Sequence, residues 1–347
     1  MRGSHHTKAR GGMDRRQLLA LGAAGVATMA GPWPASAQPA APDPWPRLFS
    51  HVYGRAVLEA PARRVVSLGY TNQDPLLALG VVPVALRYWY GDEPNSVWPW
   101  ARAHLGQATP QVLRGESNIE AIAALQPDLI VAVGAGITRA EYDILSQIAP
   151  VLMQPEGTPT YGLGWEETTR MFGRAVARED RALAMITKTK QAFAAARDRH
   201  PEWAGRRAVA AYHSAGETGV FAAIDGRARF LQSLGFVLPD DAAFGGGEAF
   251  YHPLSPEDLS PLDADVLLWI AAGTEASDLA ALPMRKLLDA HKQGREVYAG
   301  PLHAAALSFS SVLSLPFAIN ALEADIAAAA DGDPDTVVQS TQAAGLL

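Results

Sequence analysis

Residues 64–86 read RVVSLGYTNQDPLLALGVVPVAL, and this stretch decides the fold. Val65, Val66 and Leu68 form a short apolar run rich in β-branched side chains, as a buried strand requires. Gly69, Tyr70, Thr71 and Asn72 interrupt it with small and polar residues. Asn72 is placed to cap a helix carrying Leu76, Leu77 and Leu79, and Gly80 fits the position that ends that helix. Residues 81–86 form a second apolar run. Strand, helix and strand make one βαβ turn of a parallel sheet, and the loop after the first strand should face a cleft. A ligand is expected to meet residues 70–73, where backbone N–H groups and side-chain amides converge.

The chain has 347 residues, enough for two lobes with sizeable cores. Hydrophobic residues make up 48% and charged residues 19%, an ordinary balance for a globular protein. The formal net charge of −7 argues against general affinity for nucleic acid. There is no cysteine, which excludes disulfides, thiolate metal sites, cysteine nucleophiles and lipidation at an N-terminal cysteine.

Residues 1–12, MRGSHHTKARGG, resemble an added expression leader, with a native extension as the alternative. From Met13 the order is charged, apolar and cleavable: Arg15 and Arg16, residues 18–30, then Ala35-Ser36-Ala37. The apolar stretch is short for a membrane span. The arginine pair suggests twin-arginine export, although Asp14 and Leu18 depart from that motif, and an ordinary Sec signal is the other reading. The expectation is a soluble periplasmic protein, cleaved near Ala37.

Residues 38–46 form a Pro/Ala-rich lead-in, and residues 48–58 alternate as a β-hairpin. Residues 87–100, RYWYGDEPNSVWPW, place Tyr88, Trp89, Tyr90, Trp98 and Trp100 in one loop. Rings so concentrated in a loop either pack beneath it or wall a ligand site. A helix at 117–125, a strand at 129–133, a glycine-rich exit at 134–136, a helix at 139–148 and a strand at 151–153 complete the first lobe. Residues 154–161 break the pattern, and helices follow at 165–176 and Glu179–Arg199. The second helix carries Leu183, Ile186 and Phe193 on its apolar side, and its length suits a rod between lobes. The second lobe is expected to repeat the logic. It has a strand at 208–212, a polar turn at 213–216, a strand at 219–224 and a helix at 227–234. A flexible aromatic loop at 245–252 precedes a helix start at 255–259, SPEDL, and a strand at 265–270 ending in a small-residue exit at 271–274. A helix at 282–290, a strand at 296–298 and a final helix at 308–329 lead into a fraying tail.

Five segments carry a family resemblance: RVVSLGYTNQDPLLALGVVPV, ESNIEAIAALQPDLIVA, LSQIAPVL, LSPEDLSPLDADVLLWI and ALSFSSVLSLPFAINAL. In this order, from about Phe49 to Ala329, the chain resembles the iron–siderophore substrate-binding proteins of bacterial ABC importers, the class III or helical-backbone periplasmic binding proteins. The resemblance implies an α/β fold with two parallel-sheet lobes joined by a single long helix and a ligand cleft between them. The expected divisions are 1–37 for leader and signal, 38–157 for the N-terminal lobe, 158–201 for the connecting helical segment and 202–347 for the C-terminal lobe. It also implies binding and delivery to a permease without catalysis, as a monomer and with no intrinsic cofactor. The family's permease-docking acids fall on Glu120 in SNIEAI and Glu257 in SPEDL, where the local alternative is simple stabilisation of a helix start.

A siderophore saturates its iron, so the protein need supply rings and hydrogen-bond donors rather than metal ligands. Arg87 is the leading donor, entering the aromatic loop directly from the second strand with a planar fork suited to chelate oxygens. Tyr88, Trp89, Tyr90, Trp165 and Tyr251 are the ring candidates, joined by Tyr70 and Asn72 at the first strand exit. His213, Ser308 and Ser310 could line the second lobe's side. Each of these also has a purely structural reading in packing. Arg139 and Arg227 follow strand exits as further cations; rings outnumber assured cleft cations, which tilts toward hydroxamate or mixed chelates.

Haem or cobalamin delivery by the same fold is the alternative. A direct Zn²⁺ or Mn²⁺ grip would need three or four His and carboxylate ligands, and only His213 and His252 are well placed. Catalysis has no support: G-x-S-x-G, H-E-x-x-H and a P-loop are all missing, and Gly245–Gly247 is a lone glycine run.

Overall fold

The computed structural model describes residues 44–115, 119–240, 249–271 and 276–347. The export signal, the start of the 117–125 helix, the glycine run at 245–247 and the exit at 272–274 lie outside the described residues.

A hairpin of β1 (Arg47–His51) and β2 (Gly54–Leu58) opens the described chain. The first lobe is a parallel sheet of β3 (Val65–Ser67), β4 (Ala85–Arg87), β5 (Gln111–Leu113), β6 (Leu129–Val131) and β7 (Val151–Leu152), in the order β5-β4-β3-β6-β7. Its crossovers carry α1 (Gln73–Ala78), α2 (Pro99–Leu105), α3 (Ile119–Ala124) and α4 (Arg139–Leu145). All three residues of β3 are buried, as its apolar run requires, because helices cover both faces of a parallel sheet.

Asn72 departs from expectation. It precedes α1 in helical geometry and makes no side-chain cap. Its side chain instead folds back across Gly69, where a Cβ would come within 2.1 Å of both Asn72 Oδ1 and Val133 O. Only glycine admits that approach of strand exit and side chain.

Helix α5 (Trp165–Ala175) leads into α6 (Glu179–Arg199), whose 21 residues span about 30 Å at about 1.5 Å each. The two ends of α6 serve different cores. Ala182 and Ile186 pack with first-lobe side chains, including Leu76 and Leu77, and Arg181 Nε donates to Ala78 O at 2.6 Å. Phe193 and Ala196 pack in the second-lobe core with Trp203 and Phe230. Leu183 is the exception on the expected apolar side: it is exposed, on the part of the helix facing water.

The second lobe does not simply repeat the first. Its strands are β8 (Ala208–Ser214), β9 (Glu217–Phe221), β10 (Tyr251–Pro253), β11 (Val266–Ile270) and β12 (Glu296–Ala299), ordered β10-β9-β8-β11-β12. β8, β11 and β12 are parallel, whereas β9 runs antiparallel to both of its neighbours, β8 and β10. The expected polar turn at 213–216 is therefore the end of β8 and a tight hairpin. His213 and Ser214 remain in the strand, and Ala215 and Gly216 make the reversal with positive φ. Helix α7 (Gly226–Ser233) follows β9.

Residues 255–259 form a turn rather than a helix start. Ser255 Oγ accepts from Glu257 N at 3.3 Å and Asp258 Oδ1 from Ser260 N at 2.9 Å, so local side-chain bonds replace the helical ladder. The expected 282–290 helix is instead divided. α8 (Ala276–Ala280) precedes it, a 3₁₀ turn occupies Met284–Leu287, and α9 (Asp289–Lys292) is short.

The last long helix is also two. α10 (Pro301–Phe309) ends at Ser310 in the left-handed region, φ 43°, and α11 (Ser314–Ala330) begins four residues later. Serines make the break. Ser311 Oγ accepts from Ser314 N at 3.0 Å while Ser314 Oγ accepts from Ser311 N at 2.9 Å, a reciprocal cap. The tail does not fray. α12 (Gln339–Ala343) packs on β12, Thr341 Oγ1 donates to Glu296 O at 2.6 Å, and Leu346 is buried.

Candidate functional site

A cavity of about 440 Å³ opens where the strand exits of both sheets meet. Tyr70, Asn72 and Trp89 line it from the first lobe, Tyr161 and Trp165 from the connection, and Arg227, Arg229 and Phe250 from the second. The volume falls in the usual range for small-molecule sites, about 300–1,000 Å³.

The aromatic loop divides between wall and support. Trp89 faces the cavity, with the Tyr70 ring centroid 5.6 Å away and that of Phe309 also 5.6 Å away. Behind it, Tyr90 meets Trp89 edge-on at 4.6 Å, and Trp98 and Trp100 stack at 5.4 Å with their planes nearly parallel. These rings are a buttress: they join β4's exit to α10 through Phe309, so they fix Trp89 across the two lobes. Burial pushes the Tyr90 phenol up to about 12, against the opposing pull of Ser308 and Arg227. On the connection, Tyr161 meets Phe250 edge-on at 5.2 Å, and burial raises its phenol as well.

Of the residues expected at the site, Tyr70, Asn72, Trp89, Trp165, Ser308 and Ser310 lie on the cavity lining. Asn72 Oδ1 is buried with no hydrogen-bond partner among the described residues, a free acceptor at the wall. The other five candidates lie off the lining, each for an identifiable reason. Arg87 sits behind Tyr70, its guanidinium 4.3 Å from that ring's centroid and Nη1 donating to Ala135 O at 2.9 Å. Tyr88 turns away under Arg114, 4.0 Å from its ring. Tyr90 belongs to the buttress. His213 is buried in β8, with Nδ1 2.8 Å from Thr218 Oγ1 across the hairpin, and burial lowers its pKa. Tyr251 stands on the edge strand β10, half-exposed and edge-on to Tyr212 at 5.7 Å.

The sequence reading passed over several lining residues. Tyr161 lies in the segment taken for a break, and Phe250 stands one residue before Tyr251. Arg229 follows two residues after Arg227, in the D-G-R-A-R run that opens α7. Asp225 anchors that run. Its Oδ1 accepts from Arg227 N at 2.8 Å as the helix cap, and its two oxygens also receive Arg227 Nε and Nη2 at 2.7 and 2.8 Å. The Arg227 guanidinium lies over Phe221, 3.7 Å from the ring centroid. Arg229 Nη1 donates to Gly162 O at 3.1 Å, tying α7 to the connection.

Beneath the cavity floor lies Asp74. It is fully buried and accepts from Trp100 Nε1 at 2.7 Å and from Ser311 Oγ at 2.6 Å. Those bonds join α1, the aromatic loop and the α10–α11 break. Burial without a cation pushes its carboxyl up to about 6, although both hydrogen bonds favour the charged form. The two acids expected to dock a permease are both exposed, Glu120 in the first turn of α3 and Glu257 on the 255–259 turn. Among the described residues, no three His, Asp or Glu side chains gather to hold a metal ion, and no helix is long and apolar enough to cross a membrane.

Comparison with known proteins agrees with this architecture. A solved periplasmic solute-binding protein from Mycobacterium smegmatis is 32% identical, with a TM-score of 0.71 over 81% of this chain and 97% of that one. PiaA of Streptococcus pneumoniae, solved with ferrichrome, shares the fold at a TM-score of 0.70 and 24% identity, covering 82% of this chain and 99% of that one. The Fe(3+) dicitrate-binding periplasmic protein FecB of Escherichia coli is 31% identical over 145 residues. That match covers 41% of this chain and 46% of FecB, so it spans about half the length of this curated relative. A family model described as periplasmic binding protein matches residues 65–301, well over half of the sequence, and the chain belongs to the periplasmic binding protein family.

Proposed function

We propose that this protein captures a ferric siderophore outside the cytoplasm and delivers it to a membrane ABC permease, without catalysing a reaction. One observation carries the reading: the cavity between the two sheets is walled by Tyr70, Trp89, Tyr161, Trp165 and Phe250 and set with two guanidiniums, Arg227 and Arg229. A chelated iron needs that environment, since the siderophore already fills the metal's coordination sphere. The E. coli relative is named for a ferric chelate and the S. pneumoniae structure holds one, which supports the same class. The proposed organisation keeps an export signal in 1–37 and lobes at 38–157 and 202–347, with 158–201 between them.

Trp89 and Trp165 line the cavity, so their fluorescence reports occupancy. Titration with ferric chelates beside their iron-free forms should give saturable quenching by a ferric chelate. Saturation by haemin or cobalamin alone would replace the ligand, and tight binding of bare Zn²⁺ or Mn²⁺ instead would overturn the reading. Glu120 and Glu257 are the proposed contacts to the permease, one exposed acid per lobe. Glu120→Lys with Glu257→Lys should abolish delivery in a reconstituted importer and leave chelate affinity intact; undiminished transport would remove them from that role.

A further inference from the structure

We infer that the cleft is built for a ferric chelate of zero or single negative charge, and against highly anionic ones; this rests on the siderophore reading above. The charged side chains described on the cavity lining are Asp225, Arg227 and Arg229. Two guanidiniums face one carboxylate there, leaving one net positive charge.

That charge is not shared evenly. Arg227 is neutralised by a bidentate pair with Asp225, a carboxylate only 5% exposed, and its ring-facing side is covered by Phe221. Among the described residues Arg229 has no carboxylate partner; its one described bond goes to the Gly162 carbonyl. Among the described residues, the remaining N–H groups of Arg229 are the cavity's unneutralised donors. Arg87, the next guanidinium, lies behind Tyr70 and is held by Ala135 O. The internal segments 116–118, 241–248 and 272–275 read ESN, DAAFGGGE and AGTE, so they contain no Lys or Arg and add no positive charge wherever they lie.

A ligand entering this cavity exchanges water for rings and one free guanidinium. A neutral trihydroxamate complex, or one bearing a single carboxylate, leaves little charge uncompensated. A trianionic tricatecholate complex would bring two negative charges with no cation to meet them, and burying unpaired charge is heavily penalised. Asp225 is then the residue that sets selectivity, because it withholds Arg227 from the ligand.

The test compares affinities by tryptophan quenching for ferrichrome, which is neutral, a ferric trihydroxamate bearing one free carboxylate, which is singly charged, and a trianionic ferric tricatecholate. The wild type should bind ferrichrome at least about ten-fold more tightly than the trianion. Asp225→Asn keeps a good helix cap while freeing the Arg227 charge, and should shift the ratio toward the trianion by about ten-fold. Arg229→Gln should weaken any singly charged chelate more than ferrichrome. Preference of the wild type for the trianion, or an unmoved ratio in a folded Asp225→Asn protein, overturns the charge assignment and leaves the siderophore reading standing. Failure of every ferric chelate to bind overturns both.

Discussion

Two buried carboxylates, Glu296 in the second lobe and Asp74 in the first, are held in opposite ways. In the second lobe, Glu296 is 3% exposed and fully paired: Arg285 Nε and Nη2 reach its two oxygens at 2.8 and 2.7 Å, Trp269 Nε1 donates at 2.8 Å, and His291 Nδ1 lies at 2.7 Å. Arg285 also donates to Leu346 O at 2.6 Å, so the cluster clamps the C-terminal segment to β12. Under the first lobe, Asp74 has only neutral donors, and its Oδ1 has no hydrogen-bond partner among the described residues. Glu296 is pinned by an ion pair, whereas Asp74, held by neutral donors, has its carboxyl pushed up to about 6 by burial.

The largest effect should come from breaking the paired site. Glu296→Ala leaves Arg285 buried without a counter-charge and should lower unfolding free energy by about 3–5 kcal/mol in urea titrations. A loss below about 1 kcal/mol would show that water reaches Arg285 and that the clamp is weak.

Asp74 comes next, and its signature is pH. Its folded carboxyl titrates near 6 against an unfolded value of 3.8, so its stabilising contribution is complete below about pH 4 and is lost as pH rises through 6. The stability difference between wild type and Asp74→Asn should therefore change by about 2–3 kcal/mol between pH 4 and pH 7, to the disadvantage of the wild type at pH 7. A difference that stays constant with pH would mean that Asp74 keeps an ordinary carboxylate pKa and that the contrast between the lobes is false.

Smaller effects separate wall from support at the cleft. Trp89→Ala removes a lining ring and should weaken ferric-chelate binding by about ten-fold, read by isothermal titration. Arg87→Ala removes a guanidinium stacked behind Tyr70 and should change affinity by no more than about three-fold. If Arg87→Ala instead matched Trp89→Ala, Arg87 would reach the ligand by swinging out from under Tyr70, and the first lobe would contribute charge as the second does.

Much of this architecture was legible in the sequence. Glu179–Arg199 reads as a long helix and is one, and the VVSLGYTN exit reads as a cleft-facing loop and lines the cavity. Periodic burial and turn residues act locally, so they show in a linear pattern. The misplacements share a cause as well. Arg87, Tyr88 and Tyr90 belong to a stretch expected to wall the ligand, yet each side chain turns to a partner off the cavity lining: Ala135, Arg114 and Trp98. The antiparallel hairpin at Ala215–Gly216 was missed because a β-strand's pattern does not declare its direction.

The sequence by itself therefore determined the family, the two α/β lobes, the bridging helix and the two loops that meet at the cleft. Those follow from apolar periodicity, turn chemistry and motif order along one dimension. Only the tertiary structure decided which rings are wall and which are buttress. It also showed that Asp225 engages Arg227 while Arg229 keeps free donors, and that a lone carboxylate joins α1 to the α10–α11 break. Asp74 meets Trp100 and Ser311 across 26 and 237 residues of chain, and Arg229 meets Gly162 across 67, separations over which no local pattern names the partner.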